Sequence, residues 1–331
     1  MSTILGNPIT LGGGGLELVA NVETGATVTA TLGSKTVTGV SVDGQARLKI
    51  PQEGKWAVSA KNGAQASFPQ EINVPATVDI TLTTIQELND TSWATIKQVS
   101  DGGAGANFWA IGDCKQIKMN GKVSDGLTLT NYYAWVYIIG FNHNAEREGN
   151  GITFQGFKAT KNGTSVCLTD SGYNENKTSG TWFNMNNAET NDGGWETCLM
   201  RKNIMPLIKA AFPSDLKAVI KPSTIFTTQG RRDGACTATT DEVFLLAEYE
   251  IFGSNLNASS QEPAYLKQYA YYSAGNSKVK YRHNATGTAA RWWERSPMSH
   301  SPSSFCIVYT DGSAHAYNAY YSYGASPAFK V

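Results

Sequence analysis

A chain of 331 residues exceeds the size at which a single hydrophobic core usually stops growing, so two domains are expected. Its 41% hydrophobic and 16% charged residues describe a globular protein, not a disordered one. A formal net charge of zero, with no basic run longer than Arg231-Arg232, argues against nucleic acid as a partner, and the lack of any run of about 18 apolar residues argues against membrane insertion.

Residues 1–15 carry neither the basic segment nor the apolar core of a signal peptide, so synthesis in a cytoplasm is expected. They end in Gly12-Gly13-Gly14-Gly15, which reads as a flexible tail. From 16 to 84 short alternating runs follow one another at regular intervals: Thr27–Leu32, Thr36–Val40, Ala46–Ile50, Lys55–Ala60 and Ala76–Leu82, with Val42-Asp43-Gly44-Gln45 as a turn. Six or seven strands in about seventy residues predict a small β-sandwich with Trp56 in its core. This half resembles the Ig-like modules of phage tail and surface proteins. Residues 85–91 form a linker.

Between 92 and 331 helix signals are few, which predicts an α+β domain. Glu196–Ala211 places Leu199, Met200, Ile204, Leu207, Ile208 and Ala211 along one face, with Pro206 as a break, and Pro213-Ser214-Asp215 starts a second short helix. The stretches 171–192 and 253–263 exceed ordinary loop lengths. Asn184, Asn186, Asn187, Asn191 and Asp192 are oxygen donors of the type calcium takes. The five cysteines, Cys114, Cys167, Cys198, Cys236 and Cys306, form no CxxC pair and predict reduced, mostly buried thiols. His300 and His315 flank Cys306 at no zinc-like spacing, so no metal is assigned. Carboxylate pairs Glu248/Glu250 and Asp241/Glu242 suggest ion pairs, with Arg291 or Arg295 as partners, ahead of glycoside hydrolysis.

The last forty residues are the most distinctive. Between Arg291-Trp292-Trp293-Glu294-Arg295-Ser296-Pro297 and Gly324-Ala325-Ser326-Pro327-Ala328-Phe329 the chain turns to Tyr, Ser, His, Asn and small residues, the vocabulary of antibody paratopes. From Ser299 to Phe329 there is no Lys, Glu, Gln, Met or Trp. At uniform composition about five would be expected in that window. These five types are the ones whose codons must end in a purine. A segment diversified at adenines of AAY codons would show this bias.

The two anchors resemble the C-terminal signature of a prophage-associated domain family with a C-type lectin-like fold of the formylglycine-generating-enzyme subtype. Phe305-Cys306-Ile307-Val308, Gly312, Trp109–Asp113, Val136–Asn144, Thr153–Gln155, Trp195–Arg201 and Asp241–Leu246 add to the resemblance. The same architecture carries the variable proteins of diversity-generating retroelements, including phage tropism determinants. The resemblance implies an α+β chain in which an N-terminal all-β Ig-like sandwich precedes a C-type lectin-like domain spanning 92–331, with a variable segment at 298–323. It implies a phage or prophage receptor-binding protein of the virion tail or fibre, without catalysis, cofactor or metal. Its partners would be a host surface protein or glycan, other virion proteins through the N-terminal region, and further copies in a homo-oligomer such as a trimer. The expected ligand-binding residues are Ser299, His300, Ser301, Ser303, Tyr309, Thr310, His315, Tyr317, Asn318, Tyr320, Tyr321 and Tyr323, held by buried Trp292 and Trp293. The alternatives are a structural tail or capsid decoration protein, and a formylglycine-generating or glycan-active enzyme. Cysteine-pair chemistry is disfavoured because Cys306 stands alone in this region.

Overall fold

A computed structural model describes residues 15–231 and 235–331. The expected flexible tail at 1–15 lies, but for Gly15, outside the described residues. The chain divides between Ile85 and Gln86 into two compact units.

The first unit holds nine strands: β1 (Leu16–Asn21), β2 (Thr27–Leu32), β3 (Lys35–Val40), β4 (Gln45–Ile50), β5 (Gly54–Asn62), β6 (Gln65–Ala66), β7 (Gln70–Val74), β8 (Ala76–Asp79) and β9 (Thr83–Thr84). They form two sheets, β4-β1-β8 and β3-β2-β5-β6-β9, with β7 also paired to β5. Strand alternation sorts the side chains cleanly in β4, where Ala46, Leu48 and Ile50 are buried and Gln45, Arg47 and Lys49 are exposed. Those three join Leu18, Val28, Ala30, Val58 and fully buried Trp56 in one core. At the tip of the β3–β4 connection Asp43 (φ 51°) and Gly44 (φ 81°) both take left-handed conformations, as a tight hairpin turn requires.

The second unit is built on a five-stranded sheet, β10 (Cys114–Ser124), β11 (Leu127–Phe141), β12 (Ile152–Lys158), β22 (Ala328–Lys330) and β16 (Val243–Phe244), in the order β10-β11-β12-β22-β16. The chain terminus is thus an interior strand: Phe329 pairs with Phe154 on one side and Val243 on the other. Phe329 also stacks on Phe154 at 5.5 Å and meets Trp93, from the helix Trp93–Asp101, at 6.3 Å. Three smaller sheets surround it: β13 (Val166–Cys167) with β17 (Lys280–Arg282) and β18 (Ala285–Ala290); β14 (Ser223–Thr228) with β15 (Cys236–Asp241); and β19 (Trp292–Pro297) with β20 (Ser304–Val308) and β21 (Ala314–Asn318). The helical stretch around Pro206 is a short helix Gly194–Thr197, a π-turn Met200–Ile204 and a helix Met205–Ala211 that begins with Pro206 in its first turn, where a missing N–H costs nothing. No helix among the described residues is long and apolar enough to cross a membrane.

The expected pairing of an Ig-like sandwich with a C-type lectin-like domain is overturned. Strand accounts for 42% and helix for 17%, spread over many small sheets and a half-barrel. Apolar alternation marks a strand but not its partner: β1 takes β8 in parallel register, Leu18 opposite Ala76, although short hairpin connections favour antiparallel neighbours. Beyond residue 92 several of the pairing strands, such as β13, β16 and β22, are two or three residues long, too short for their order to show in the sequence.

Of the expected linker, Ile85 falls in the first unit and residues 86–91 in the second. Leu88 is buried at 3% exposure, Trp109 Nε1 donates to the Gln86 carbonyl at 3.1 Å, and Lys115 Nζ donates to the carbonyls of Asn89 and Thr91 at 2.9 and 2.6 Å. A fragment beginning at Gln86 is therefore expected to be more stable to urea than one beginning at Ser92, by about 2 kcal/mol from Leu88 burial alone. Equal stability of the two would show that the linker contributes nothing.

Candidate functional site

The register of β19, β20 and β21 decides which side chains share a face. Trp293 lies opposite Ile307 and Ile307 opposite His315, while Phe305 pairs with Tyr317. Alternation therefore sends Trp293, Phe305, Ile307, His315 and Tyr317 to one side and Trp292, Glu294, Val308, Cys306, Ala314 and Ala316 to the other. On the first side Trp293 is closed over by Tyr323, at 5.2 Å between rings, and donates from Nε1 to the Phe183 carbonyl at 2.8 Å. Tryptophans 292 and 293 are both fully buried.

At the edge of that face Arg291 gathers the tyrosines. Its Nη1 donates to Tyr323 OH at 3.1 Å and to Asn174 Oδ1 at 2.8 Å, and its Nη2 donates to Tyr309 OH at 2.8 Å. The guanidinium lies 4.6, 5.0 and 5.4 Å from the ring centres of Tyr309, Tyr317 and Tyr323. The Arg291 amide donates to Tyr173 OH at 2.8 Å. Tyr317 meets Tyr321 edge-on at 5.2 Å, Tyr320 stacks on Tyr321 at 5.2 Å, and Tyr309 meets His315 at 5.1 Å. None of the ion pairs among the described residues includes Arg291, so its charge is met only by neutral acceptors and ring faces.

Of the twelve expected ligand residues, His300 and His315 are exposed, and Ser301, Ser303, Tyr309, Thr310, Tyr317, Asn318, Tyr320 and Tyr321 are half-buried. Two are corrections. Tyr323 is fully buried because its ring fills the space between Trp293, Tyr317 and Arg291, and burial pushes its phenol up. Ser299 is 8% exposed because its amide and its hydroxyl both donate to the Asn257 carbonyl, at 2.9 and 3.0 Å. The rest fall into two groups. Tyr309 and Tyr317 lie against Arg291, with His315 packed on Tyr309 and Tyr321 on Tyr317. Ser301, Ser303 and Asn318 form a hydroxyl–amide cluster, with Ser303 Oγ 3.4 Å from Asn318 Oδ1. Asn318 Nδ2 extends it to Glu189 Oε1 at 2.8 Å and Tyr320 OH at 3.4 Å.

Arg291, Tyr173, Asn174, Glu189 and Asn191 are site-forming residues that sequence reasoning did not include. The signal for Arg291 was its place in the rigid anchor. The Asn-rich loop is spent on the protein's own backbone instead of presenting a calcium shell. Asn191 Nδ2 donates to the carbonyls of Met298, Ser301 and Ser304 at 3.2, 2.7 and 2.9 Å, and Asn191 Oδ1 accepts from the Arg231 amide. Asn184 Nδ2 donates to Lys177 O, Asn186 O and Asn187 Oδ1. Gly324 closes the segment where a Cβ would overlap the Cys167 sulfur.

Three of the four carboxylates in those pairs are ion-paired among the described residues, and Glu248 instead accepts backbone amides. Glu250 meets Arg295 at 2.7 Å, Asp241 meets Arg201 at 2.7 Å, and Glu242 meets Lys209. All five cysteines are free. Cys306 is fully buried, and burial pushes its thiol well above the usual range, the opposite of a nucleophile's setting. His143 is stacked on Tyr269 at 3.7 Å, and burial lowers it to about 4. A cleft of about 590 Å³ lined by Arg201, Met205, Lys209, Lys217 and Glu242 includes none of the expected ligand residues.

The chain belongs to the family described as a domain of unknown function, DUF6273, whose model matches residues 166–331. No curated protein and no solved structure matches it.

Two measurements separate support from surface. Trp293→Ala is expected to cost about 3–5 kcal/mol in urea unfolding, as truncation of a buried aromatic does, while His315→Ala stays within about 0.5 kcal/mol. Comparable losses for the two would refute this division. Lys280, under Trp292 at 5.1 Å, donates to Tyr137 OH at 2.7 Å, and burial lowers its amine from 10.5 to about 7. Between about pH 7 and 10.5 the unfolded chain therefore binds the more protons at this site, and its contribution raises stability as pH rises. The stability difference between the native chain and Lys280→Met is expected to shift in the native chain's favour across that window. A difference independent of pH would refute the lowered pKa.

Proposed function

We propose that this chain is a receptor-binding protein of a phage or prophage particle. On this reading it binds a host surface protein or glycan through the tyrosine face around Arg291 and the adjoining Ser301–Ser303–Asn318 cluster, without catalysis. The observation that carries the reading is Arg291: a half-buried cation, ringed by tyrosines and without a carboxylate partner among the described residues, beside exposed His315. Aromatic rings with few rotamers and a planar guanidinium are the groups that dominate binding energy at protein surfaces. The purine-ending codon gap from 299 to 329 covers the same residues and supports their diversification by a retroelement. Display in many copies would convert modest affinity per site into avidity.

Two experiments test this. A near-copy of the 298–323 coding stretch is expected beside the gene, differing mainly at adenines. A genome without such a copy sinks the diversification reading. In adsorption to host cells, His315→Ala/Tyr320→Ala is expected to lose at least tenfold in binding with its melting temperature within about 2 °C of the native value. Unchanged adsorption by that folded variant would favour a decoration role, in which the same face meets another virion chain.

A further inference from the structure

The opposite side of the β19–β20–β21 sheet buries an unusual trio. Trp292 lies opposite Val308 and Trp293 opposite Ile307, the register shifts beyond Trp293, and the Glu294 carboxylate lies beside the Cys306 sulfur. Both face Glu248, the first residue of the helix Glu248–Phe252. All three are fully buried, and one oxygen of each carboxylate lies with the Cys306 sulfur within a mutual 4.8 Å.

The three groups are in different states. Glu248 is fully hydrogen-bonded: its Oε2 accepts the amides of Leu256, Asn257 and Ala258 at 2.8, 2.9 and 2.8 Å, and its Oε1 accepts Asn257 Nδ2 at 2.9 Å. Glu294 is the reverse, since neither of its carboxyl oxygens has a hydrogen-bond partner. Burial pushes its pKa well above the usual carboxylate range, and the Glu248 and Glu262 carboxylates push it further. Protonation would remove the charge but leave an O–H without an acceptor and a second oxygen without a donor. The neighbouring cation cannot help, because the Arg295 guanidinium is engaged with Glu250, Leu245 O and Phe226 O.

We propose that Glu248, Glu294 and Cys306 together bind one divalent transition-metal ion of the zinc class. Calcium and magnesium take oxygen ligands, whereas zinc accepts carboxylate oxygen and thiolate sulfur in one shell. In a tetrahedral shell, metal–oxygen bonds of about 2.0–2.2 Å and a metal–sulfur bond of about 2.3 Å place two donors of one ion about 3.4–3.6 Å apart. The three atoms, which lie within a mutual 4.8 Å, therefore draw in by up to about 1.4 Å on loading, through side-chain rotation. Glu248 Oε1 has room, because the Asn257 amide that reaches it at 3.1 Å is already served by Oε2 at 2.9 Å. On loading, the Cys306 thiol releases its proton to solvent and its lone pair forms the metal–sulfur bond, as does any proton held by Glu294 leave its carboxyl, with no oxidation or reduction. The ion would clip the helix Glu248–Phe252 to the back of the sheet that carries the tyrosine face. This assignment stands apart from the receptor-binding reading, since it uses none of its residues.

The test uses the full chain, stripped with a chelator and dialysed, then titrated with zinc and, as a spectroscopic probe, cobalt(II). One equivalent of metal per chain is expected, together with a thiolate-to-cobalt absorption band and a melting temperature raised by zinc. Cys306→Ser is expected to lose the band, and Glu294→Gln to bind zinc at least tenfold more weakly. X-ray absorption of the zinc-loaded native chain keeps the proposal falsifiable if the variants do not fold: one sulfur with oxygen neighbours is expected. A folded native chain that retains less than a tenth of an equivalent, or an absorption shell without sulfur, overturns the assignment.

Discussion

The second unit depends on one buried contact, the bidentate pair of Arg295 with Glu250. Arg295 is wholly buried, its Nη1 and Nη2 donate to Glu250 at 2.7 and 2.9 Å, and its remaining donors go to Leu245 O, Phe226 O and Thr227 Oγ1. One side chain thus ties β19 to the helix Glu248–Phe252, to β14 and to the segment after β16. Such a pair adds little net stability over apolar packing, but removing one partner typically costs about 3–5 kcal/mol because the other charge is stranded. Its larger effect is on register. Arg295 is held at Glu250 just beyond the register shift that follows Trp293, while Trp293 packs on Tyr323 and Glu294 lies beside Cys306.

From that fixed strand the candidate face is held entirely by groups outside it. Trp293 seats Tyr323, and Tyr323 with Asn174 seats Arg291, which positions Tyr309 and Tyr317. Asn191 fastens the turn between β19 and β20 by three carbonyls, and the Ala319 carbonyl accepts the amides of Met185 and Asn186 at 2.8 and 3.0 Å. Beyond Gly324 the chain enters the central sheet as β22, between β12 and β16. A segment anchored in the core at both ends can change its exposed side chains without changing its path.

The sequence made the strands of the first unit legible because each has one buried face: Ala46, Leu48 and Ile50 alternate with charged neighbours, and Trp56 is the large apolar residue among short strands. It did not reveal strand order, since alternation is the same whichever neighbour a strand takes. The composition of 298–323 drew notice to a partly exposed segment but blurred its interior. Tyr323 has the same composition signal as Tyr320, and only the packing of Trp293 distinguishes the buried ring from the half-exposed one. Asn191 and Asn184 read as oxygen donors for a cation because an amide shows both chemistries. Carbonyls more than a hundred residues away, at Met298, Ser301 and Ser304, decide that Asn191 donates.

The same packing sets limits on which positions of the segment can vary. His300, Pro302, Asp311, Ser313 and His315 are exposed, so most side chains there leave the fold within about 0.5 kcal/mol of its starting stability. Phe305, Cys306, Ile307 and Val308 form a fully buried strand between them, where each enlargement costs about 1–3 kcal/mol, and a few together would consume the stability of a typical domain. Ser322 is fixed differently: it is fully buried, and its hydroxyl donates to Asp170 Oδ1 at 2.7 Å, so an apolar replacement leaves that buried oxygen with only the Gly172 amide. Tyr309 and Tyr317 lie between these extremes. Each touches Arg291, yet each is open enough for water to replace a lost phenol. The region whose packing tolerates many side chains is therefore two turns and one strand edge mounted on a buried strand, with the Arg291 guanidinium at their junction.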